Sequence, residues 1–299
     1  MDLPTAIATL SASPDHRVLR RVPDPTDAGA WPSMSPLTAP SLADIRYGAI
    51  IDTETTGTGD ADEVIELAIQ RFTYEKTSGQ LVSLHQRGWS ALRQPSIPIP
   101  LDSTRVHGIT DDDVSGKVIS AAEVEQMLAG VHLVIAHSAA FDRPKCEAIW
   151  PCFSDLHWAC SLEDIPWREE GLSGRALDYL LFRQGWFYDG HRALADAQAL
   201  LWLLTLPLPT SGRPALAALL ETARKPVWEV RVTGSSYEAN ALLRARGGYR
   251  WQPETNASPK AWVAVTPDHE AETAWLRDNV RCDIHVSRVP PTRRFSGRV

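Results

Sequence analysis

Four carboxylates and a histidine occupy three short stretches of the chain, and their types and surroundings point to chemistry. Asp52 and Glu54 lie in Ile50-Ile51-Asp52-Thr53-Glu54-Thr55-Thr56-Gly57. Asp142 ends His137-Ser138-Ala139-Ala140-Phe141-Asp142, and His191 opens His191-Arg192-Ala193-Leu194-Ala195-Asp196-Ala197. Each carboxylate sits in or beside an apolar run, where an unpaired charge is costly unless a cation or hydrogen bonds offset it. Gathered together, Asp52, Glu54, Asp142 and Asp196 make a negative, oxygen-rich pocket suited to hard divalent cations. His191 is the group among them that exchanges a proton near neutral pH. The combination predicts metal-dependent phosphoryl chemistry.

Elements of recognisable pattern must position these groups. Tyr47 to Thr53 is a short apolar run typical of a central strand, and Asp52 and Glu54, two apart, face the same side of it. Glu63 to Phe72 and Leu81 to Arg93 read as further strands joined by the Ser78-Gly79 turn. Helix-like Ala121 to Leu128 leads to a strand at His132 to Ala136, a helix at Phe141 to Trp150 and a short strand at Trp158 to Cys160. Leu177 to Phe182 and Ala193 to Leu204 carry helical apolar spacing. Strands capable of antiparallel pairing, followed by strands alternating with helices, imply an α/β fold with a mixed sheet and helices packed against it.

Composition bounds the rest. Apolar residues make up 43% of the 299, enough for real cores, and a net charge of −7 argues against a uniformly nucleic-acid-binding surface. From Pro226 onward there are 11 Lys/Arg and 8 Asp/Glu (+3), leaving 19 and 29 (−10) for the remainder. An acidic catalytic body with a mildly basic tail module fits that split. Four cysteines do not form a disulfide framework in a chain of this length. With no signal-like segment and no apolar run that would span a bilayer, the expected setting is cytoplasmic, with no membrane partner.

The expected organisation is a Pro-rich, mostly irregular arm over residues 1–45, in which Val18 to Val22 could dock on the body. The catalytic domain spans 46–208, and a linker and helix span 209–225. A small basic α+β module follows at 226–287, ending in a loose tail at 288–299. Within the module the pattern reads strand (Val227 to Val232), helix (Ser236 to Arg246), two strands around Tyr249 to Val265, and helix (His269 to Val280).

Taken singly, each site residue has a plainer reading. Asp142 could cap its helix. Asp196 could lie on a solvated helix face, His191 in a surface turn, and the Asp52/Glu54 pair could be salt-bridge partners.

Together the three stretches resemble the DEDDh 3′–5′ exonucleases, the family of the proofreading subunit of bacterial DNA polymerase III, RNase T and oligoribonuclease. Asp52 to Gly57 matches D-x-E-T-T-G. His137 to Asp142 resembles H-N-A-x-F-D with Ser138 in place of Asn, and His191 to Ala197 matches H-R-A-x-x-D-A. Val106-His107-Gly108-Ile109-Thr110 is similar to the family's substrate-facing V-H-G-I-T. The resemblance spans roughly residues 46 to 205, in family order.

It implies an RNase H-like fold and a two-metal mechanism. Two Mg²⁺ or Mn²⁺ ions, about 3.5–4 Å apart, would grip the scissile phosphate. By motif position Asp52 bridges the ions, Glu54 and Asp196 complete one, Asp142 supports the other, and His191 acts as general base. Thr55 places a backbone N–H near the terminal 3′-OH, while Val106, His107 and Phe141 pack against the last nucleotides. Core packing for Phe141 and a turn-stabilising hydrogen bond for His107 are the plainer alternatives. The implied activity is removal of mononucleotides from 3′ ends of single-stranded or frayed nucleic acid, DNA favoured, in proofreading or repair. A DNA polymerase or another replication or repair protein is the implied protein partner. The alternatives are an RNA-trimming exonuclease and a non-catalytic nucleic-acid- or polymerase-binding subunit.

Other signals are weaker. Cys146, Cys152, His157 and Cys160 lack the tight pairs of structural zinc sites and read as free thiols. Glu66 is either a support for the site or a partner for an arginine. In the module, Arg244, Arg246 and Arg250 interleave with Tyr249, Trp251 and Trp262. That pattern fits either a strand-binding surface or the core of a domain too small to fold without its aromatics.

Overall fold

The computed structural model describes residues 2–27, 29–32, 41–85, 87–254 and 258–297. The chain divides into two units, Met1–Ala223 with Phe295–Val299, and Arg224–Arg294.

The first unit begins with α1 (Leu3–Ala12) and a two-residue strand β1 (Arg20–Arg21), followed by the long strands β2 (Ile45–Thr55) and β3 (Val64–Glu75). Next come β4 (Leu81–Leu84), β5 (Trp89–Leu92), α2 (Leu101–His107), α3 (Asp111–Val114), α4 (Ala121–Leu128) and β6 (Leu133–Ala136). The remaining elements are α5 (Ala139–Ile149), β7 (Trp158–Cys160), α6 (Ser161–Asp164), α7 (Leu177–Arg183), β8 (Trp186–Phe187), α8 (Ala193–Thr205) and α9 (Ala215–Arg224). The main sheet runs β4-β3-β2-β6-β7, and β5 also pairs with β3. β2 is antiparallel to β3 and parallel to β6, which is parallel to β7. This mixed sheet flanked by helices is the RNase H-like arrangement that the motifs implied.

Period-two alternation along β2 divides the core between the two faces of the sheet. Ile50 packs with Leu200 and Leu204 of α8, whereas Ala49 and Ile51 pack with Val124 of α4 and Cys146 of α5. Gly48 leaves room for the Phe72 ring of the partner strand, because a Cβ there would come within 2.4 Å of it.

Several segments depart from the sequence reading. Leu81 to Arg93 forms two strands, because after Leu84 the Gln70 side chain donates to the His85 carbonyl (2.7 Å). The arm is not irregular throughout. α1 follows Asp2, whose carboxylate accepts the Thr5 N–H (2.9 Å), carries Pro4 in its first turn, where no intrahelical donor is lost, and ends before the five prolines from Pro23 to Pro40. β1 pairs in parallel with β8, the Val22 N–H donates to Phe187 O (2.9 Å), and Trp31 is buried edge-on to Trp202 at 5.0 Å. The rest of that proline-rich stretch, residues 33–40, lies outside the described residues.

The stretch expected to be a linker is packed. Leu208 is buried, the Thr210 and Ser211 N–H groups both donate to Glu170 at 2.9 Å, and α9 buries Leu216, Leu219 and Leu220 in the same core. The expected loose tail also returns to this unit. Phe295 packs beside the α5 core, and Ser296 Oγ donates to Glu147 (2.7 Å), itself paired with the fully buried Arg143.

The second unit is an antiparallel sheet with two helices. Its elements are β9 (Trp228–Thr233), α10 (Ala239–Arg246), β10 (Arg250–Gln252), β11 (Ala261–Thr266), α11 (His269–Asn279) and β12 (Asp283–Arg288), in sheet order β10-β11-β9-β12. Val230, Val232, Leu243, Trp262 and Leu276 form its core. The edge strand β12 escaped the sequence reading, its residues being almost all exposed. No helix among the described residues is long and apolar enough to cross a membrane.

Candidate active site

The C-terminal end of β2 carries Asp52 and Glu54 on one face, opposite Ala68 and Glu66 of β3. α8 packs on that face and delivers Asp196 from its first turn. One carboxylate oxygen from each of Asp52, Glu54 and Asp196 lies within 4.8 Å of the other two. Among the described residues no other trio of His, Cys, Asp or Glu is so arranged.

Asp142 stands outside that trio. It lies in the first turn of α5, on the other face of β2, where its Oδ1 accepts the Thr53 hydroxyl at 2.8 Å. It does not cap its helix, which starts at Ser138 without a side-chain cap. His137, which opens the same motif, is a strut. Its ring nitrogens engage Ser161 Oγ (2.7 Å) and Arg175 O (2.8 Å).

The electrostatics are unbalanced. Burial, then the charges of Asp142, Asp196, Glu54 and Glu66, push the Asp52 carboxyl well above its ordinary range. Burial and the neighbouring Asp196 and Glu66 push Glu54 up to about 8. Burial raises Asp142 to about 7 against the opposing Thr53 hydrogen bond, and it also raises Asp196. Carboxylates in this state favour either protons or a cation, so the donor set fits a hard divalent ion.

The turn into α8 is tightly organised. Asp196 is half-buried rather than on a freely solvated helix face; Tyr188 donates its hydroxyl to Oδ1 (2.7 Å) and the Arg192 N–H donates to Oδ2 (3.0 Å). His191 is exposed, with a left-handed φ of 67°, and lies close enough for its charge to act on both Asp196 and His107. The Arg192 guanidinium meets the buried Glu66 through Nε and Nη2, both at 3.1 Å. Tyr188 was missed at the sequence level, its one signal being the aromatic run Trp186-Phe187-Tyr188 just ahead of His191.

The residues matched to substrate binding differ in exposure. Thr55 is buried, its hydroxyl donating to Gly57 O (2.6 Å). His107 ends α2 before Gly108, which takes the left-handed cap at φ 73°. His107 Nδ1 accepts the Ile109 N–H (3.0 Å), as the plainer reading has it. Its buried Nε2 faces the Thr55 backbone without a well-formed hydrogen bond. Val106 is exposed, and the half-buried Phe141 ring has the Lys145 ammonium 5.1 Å from its centroid. The four cysteines are free thiols, and burial raises that of Cys160 to about 11.

In the module, Tyr249 and Trp262 are buried as core, whereas Trp251 is 48% exposed. Arg246 pairs with Glu272 (3.0 Å), and the Arg244 guanidinium lies over Trp262.

A mixed sheet of this order, with carboxylates gathered at the end of its central strand, is the frame of an RNase H-like nuclease domain. Residues 49–148 match the family model of the RNase T exonuclease domain, which supports a nuclease of that kind. The matched segment carries Asp52, Glu54 and Asp142, and His191 and Asp196 lie beyond it in the chain. Among solved structures, the chain is similar to Exonuclease X in complex with 5′-overhanging duplex DNA. The identity is 25% and the TM-score 0.41, covering 58% of this chain and 99% of that one. It is also similar to E. coli Exonuclease I in complex with a dT13 oligonucleotide, at 16% identity and TM-score 0.46, covering 74% of this chain and 63% of that one. A third, a 3′-exonuclease recognising the histone mRNA stem-loop, is 15% identical with TM-score 0.39, covering 52% of this chain and 76% of that one. No curated protein matches the sequence significantly.

Proposed function

We propose that the chain is a DEDDh-type 3′–5′ exonuclease that releases mononucleotides from the 3′ ends of single-stranded or frayed nucleic acid, DNA ahead of RNA. The observation that carries this reading is the convergence of Asp52, Glu54 and Asp196 within 4.8 Å inside an exonuclease domain, with His191 opening the turn that delivers Asp196. The raised carboxyls support a resident cation. Asp52, Glu54 and Asp196 would hold one divalent ion, Mg²⁺ or Mn²⁺. Asp142, across β2, would support a second that shares Asp52. Such ions supply Lewis-acid stabilisation of charge on the scissile phosphate.

The chain's own groups do the rest. An imidazole nitrogen of His191 takes the proton of the attacking water, a role worth roughly 10²–10⁴-fold. Tyr188 and the Arg192 N–H orient the Asp196 carboxylate. The Thr55 backbone N–H meets the terminal 3′-OH, and Val106, His107 and Phe141 form an apolar and aromatic wall for the last bases. Stacking on such a wall accepts any base. The setting fitting this activity is cytoplasmic replication or repair beside a polymerase.

The test is digestion of a 3′-labelled oligonucleotide by purified protein with Mn²⁺. Stepwise shortening from the 3′ end is expected, faster on single-stranded DNA than on RNA or blunt duplex. An untouched oligonucleotide overturns the reading.

A further inference from the structure

Glu66 belongs to no motif, yet it lies at the centre of the site's polar network. It is 2% exposed and stands directly opposite Glu54 in the β2–β3 ladder, on the same face of the sheet. A carboxylate buried there adds to the negative field of Asp52 and Glu54, so retaining it demands a strong compensating partner. That partner is in the third motif. Glu66 Oε1 accepts from Arg192 Nη2 (3.1 Å), and Oε2 accepts from Arg192 Nε (3.1 Å) and from the Ala193 N–H (3.2 Å). With both oxygens engaged, Glu66 is committed to the turn and stands outside the metal-ligating trio.

The turn needs such an anchor. His191 holds a left-handed φ of 67°, a strained conformation for a non-glycine residue that persists where the surroundings over-determine it. On its C-terminal side, both of the next two residues are tied to Glu66. On its N-terminal side, Tyr188 is tied to Asp196. The Arg192 side chain is itself 55% exposed, and an ion pair with so wet an end adds little stability. A planar fork on a buried carboxylate does, however, fix geometry.

We infer that Glu66 is a positioning residue that sets the His191 imidazole through Arg192 and the Ala193 N–H. The inference rests on the reading of His191 as proton acceptor. It gives Glu66 no contact with substrate.

A double-mutant cycle tests it. Glu66→Gln, His191→Ala and the double variant are compared for kcat and KM on a short 3′-labelled oligonucleotide with Mn²⁺, for Mn²⁺ affinity by calorimetry, and for Tm. Glu66→Gln is expected to lower kcat by about 10–100-fold, the usual range for a support one step behind a reactive group. KM and the Mn²⁺ Kd should change by less than about threefold. His191→Ala should lose roughly 10²–10⁴-fold. The double variant should be no slower than His191→Ala alone. Losses that multiply, a kcat unchanged in Glu66→Gln, or a loss matched by weaker Mn²⁺ binding would each overturn the proposal. Should Glu66→Gln not fold, Arg192→Lys keeps the charge, loses the fork and goes through the same cycle with the same expectations. Full activity in His191→Ala would instead overturn the proton-acceptor reading itself, and the route through His191 with it.

Discussion

The end of β2 and the face of the C-terminal module both present charged and aromatic residues, but the two regions balance their charges differently. In the module, Glu272 accepts from Arg246 (3.0 Å) and from the Tyr249 hydroxyl (2.9 Å), so its charge is neutralised on the spot. At the end of β2, Asp52, Glu54 and Asp196 lie close together, and Arg192, whose charge opposes the rise at Glu54, is committed to Glu66. Satisfied charge marks architecture, whereas buried unsatisfied charge marks a place kept for something else.

The contrast can be broken most sharply at Asp52. Asp52→Asn should reduce exonuclease activity by at least about 10³-fold, since several kcal/mol of charge stabilisation leave with the carboxylate. The same variant should melt higher than wild type in EDTA, because a repelling charge is gone. A lower Tm with activity retained would make Asp52 an ordinary structural residue.

Titration gives the next largest effect. Glu54 sits at about 8 and Asp142 at about 7, both above their ordinary values. Between the ordinary and raised values, the folded chain holds protons that the unfolded chain has released. Stability of the metal-free protein should therefore fall as pH rises from about 5 to 8. Calorimetry in EDTA should show the decline, and Mn²⁺ should restore Tm most strongly at pH 8. A Tm in EDTA that rises across this window would remove the charge imbalance from the argument for a metal.

In the module, Trp251→Ala should raise KM on long single strands by about fivefold or more if its exposed indole stacks on a base, with kcat on short oligonucleotides kept. An unchanged KM discards strand binding at that surface. Glu272→Ala should cost the module about 1–3 kcal/mol, because the Tyr249 hydroxyl loses its acceptor. It should leave kcat within about twofold in a short-oligonucleotide assay.

The site was legible because its chemistry dictates residue types that motif spacing preserves: Asp52 and Glu54 two apart on a strand, and Asp196 five after His191. Asp142 shows where that legibility stops. Spacing along the chain does not reveal that α5 approaches β2 from the face opposite α8, leaving Asp142 on the Thr53 side. Glu66 was visible as a buried acid, but its pairing with Glu54 depends on a ladder register that shifts just beyond Glu54. β1 was unreadable because two residues have no periodicity and its partner lies far along the chain. Composition concealed α1, since Pro4 sits in its first turn, where proline is tolerated, and the proline cluster from Pro23 to Pro40 begins only after it ends.

The pairing of β1 with β8 also orders events in time. Arg21 emerges from the ribosome 166 residues before its partner Phe187. At about 5–20 residues per second, the arm waits roughly 8–33 s for the strand that receives it. Trp31 waits longer, until Trp202 has been made. The segment synthesised first therefore docks among the last, next to the turn that bears His191. A nascent chain can hold Asp52 and Glu54 in place well before it can cut anything.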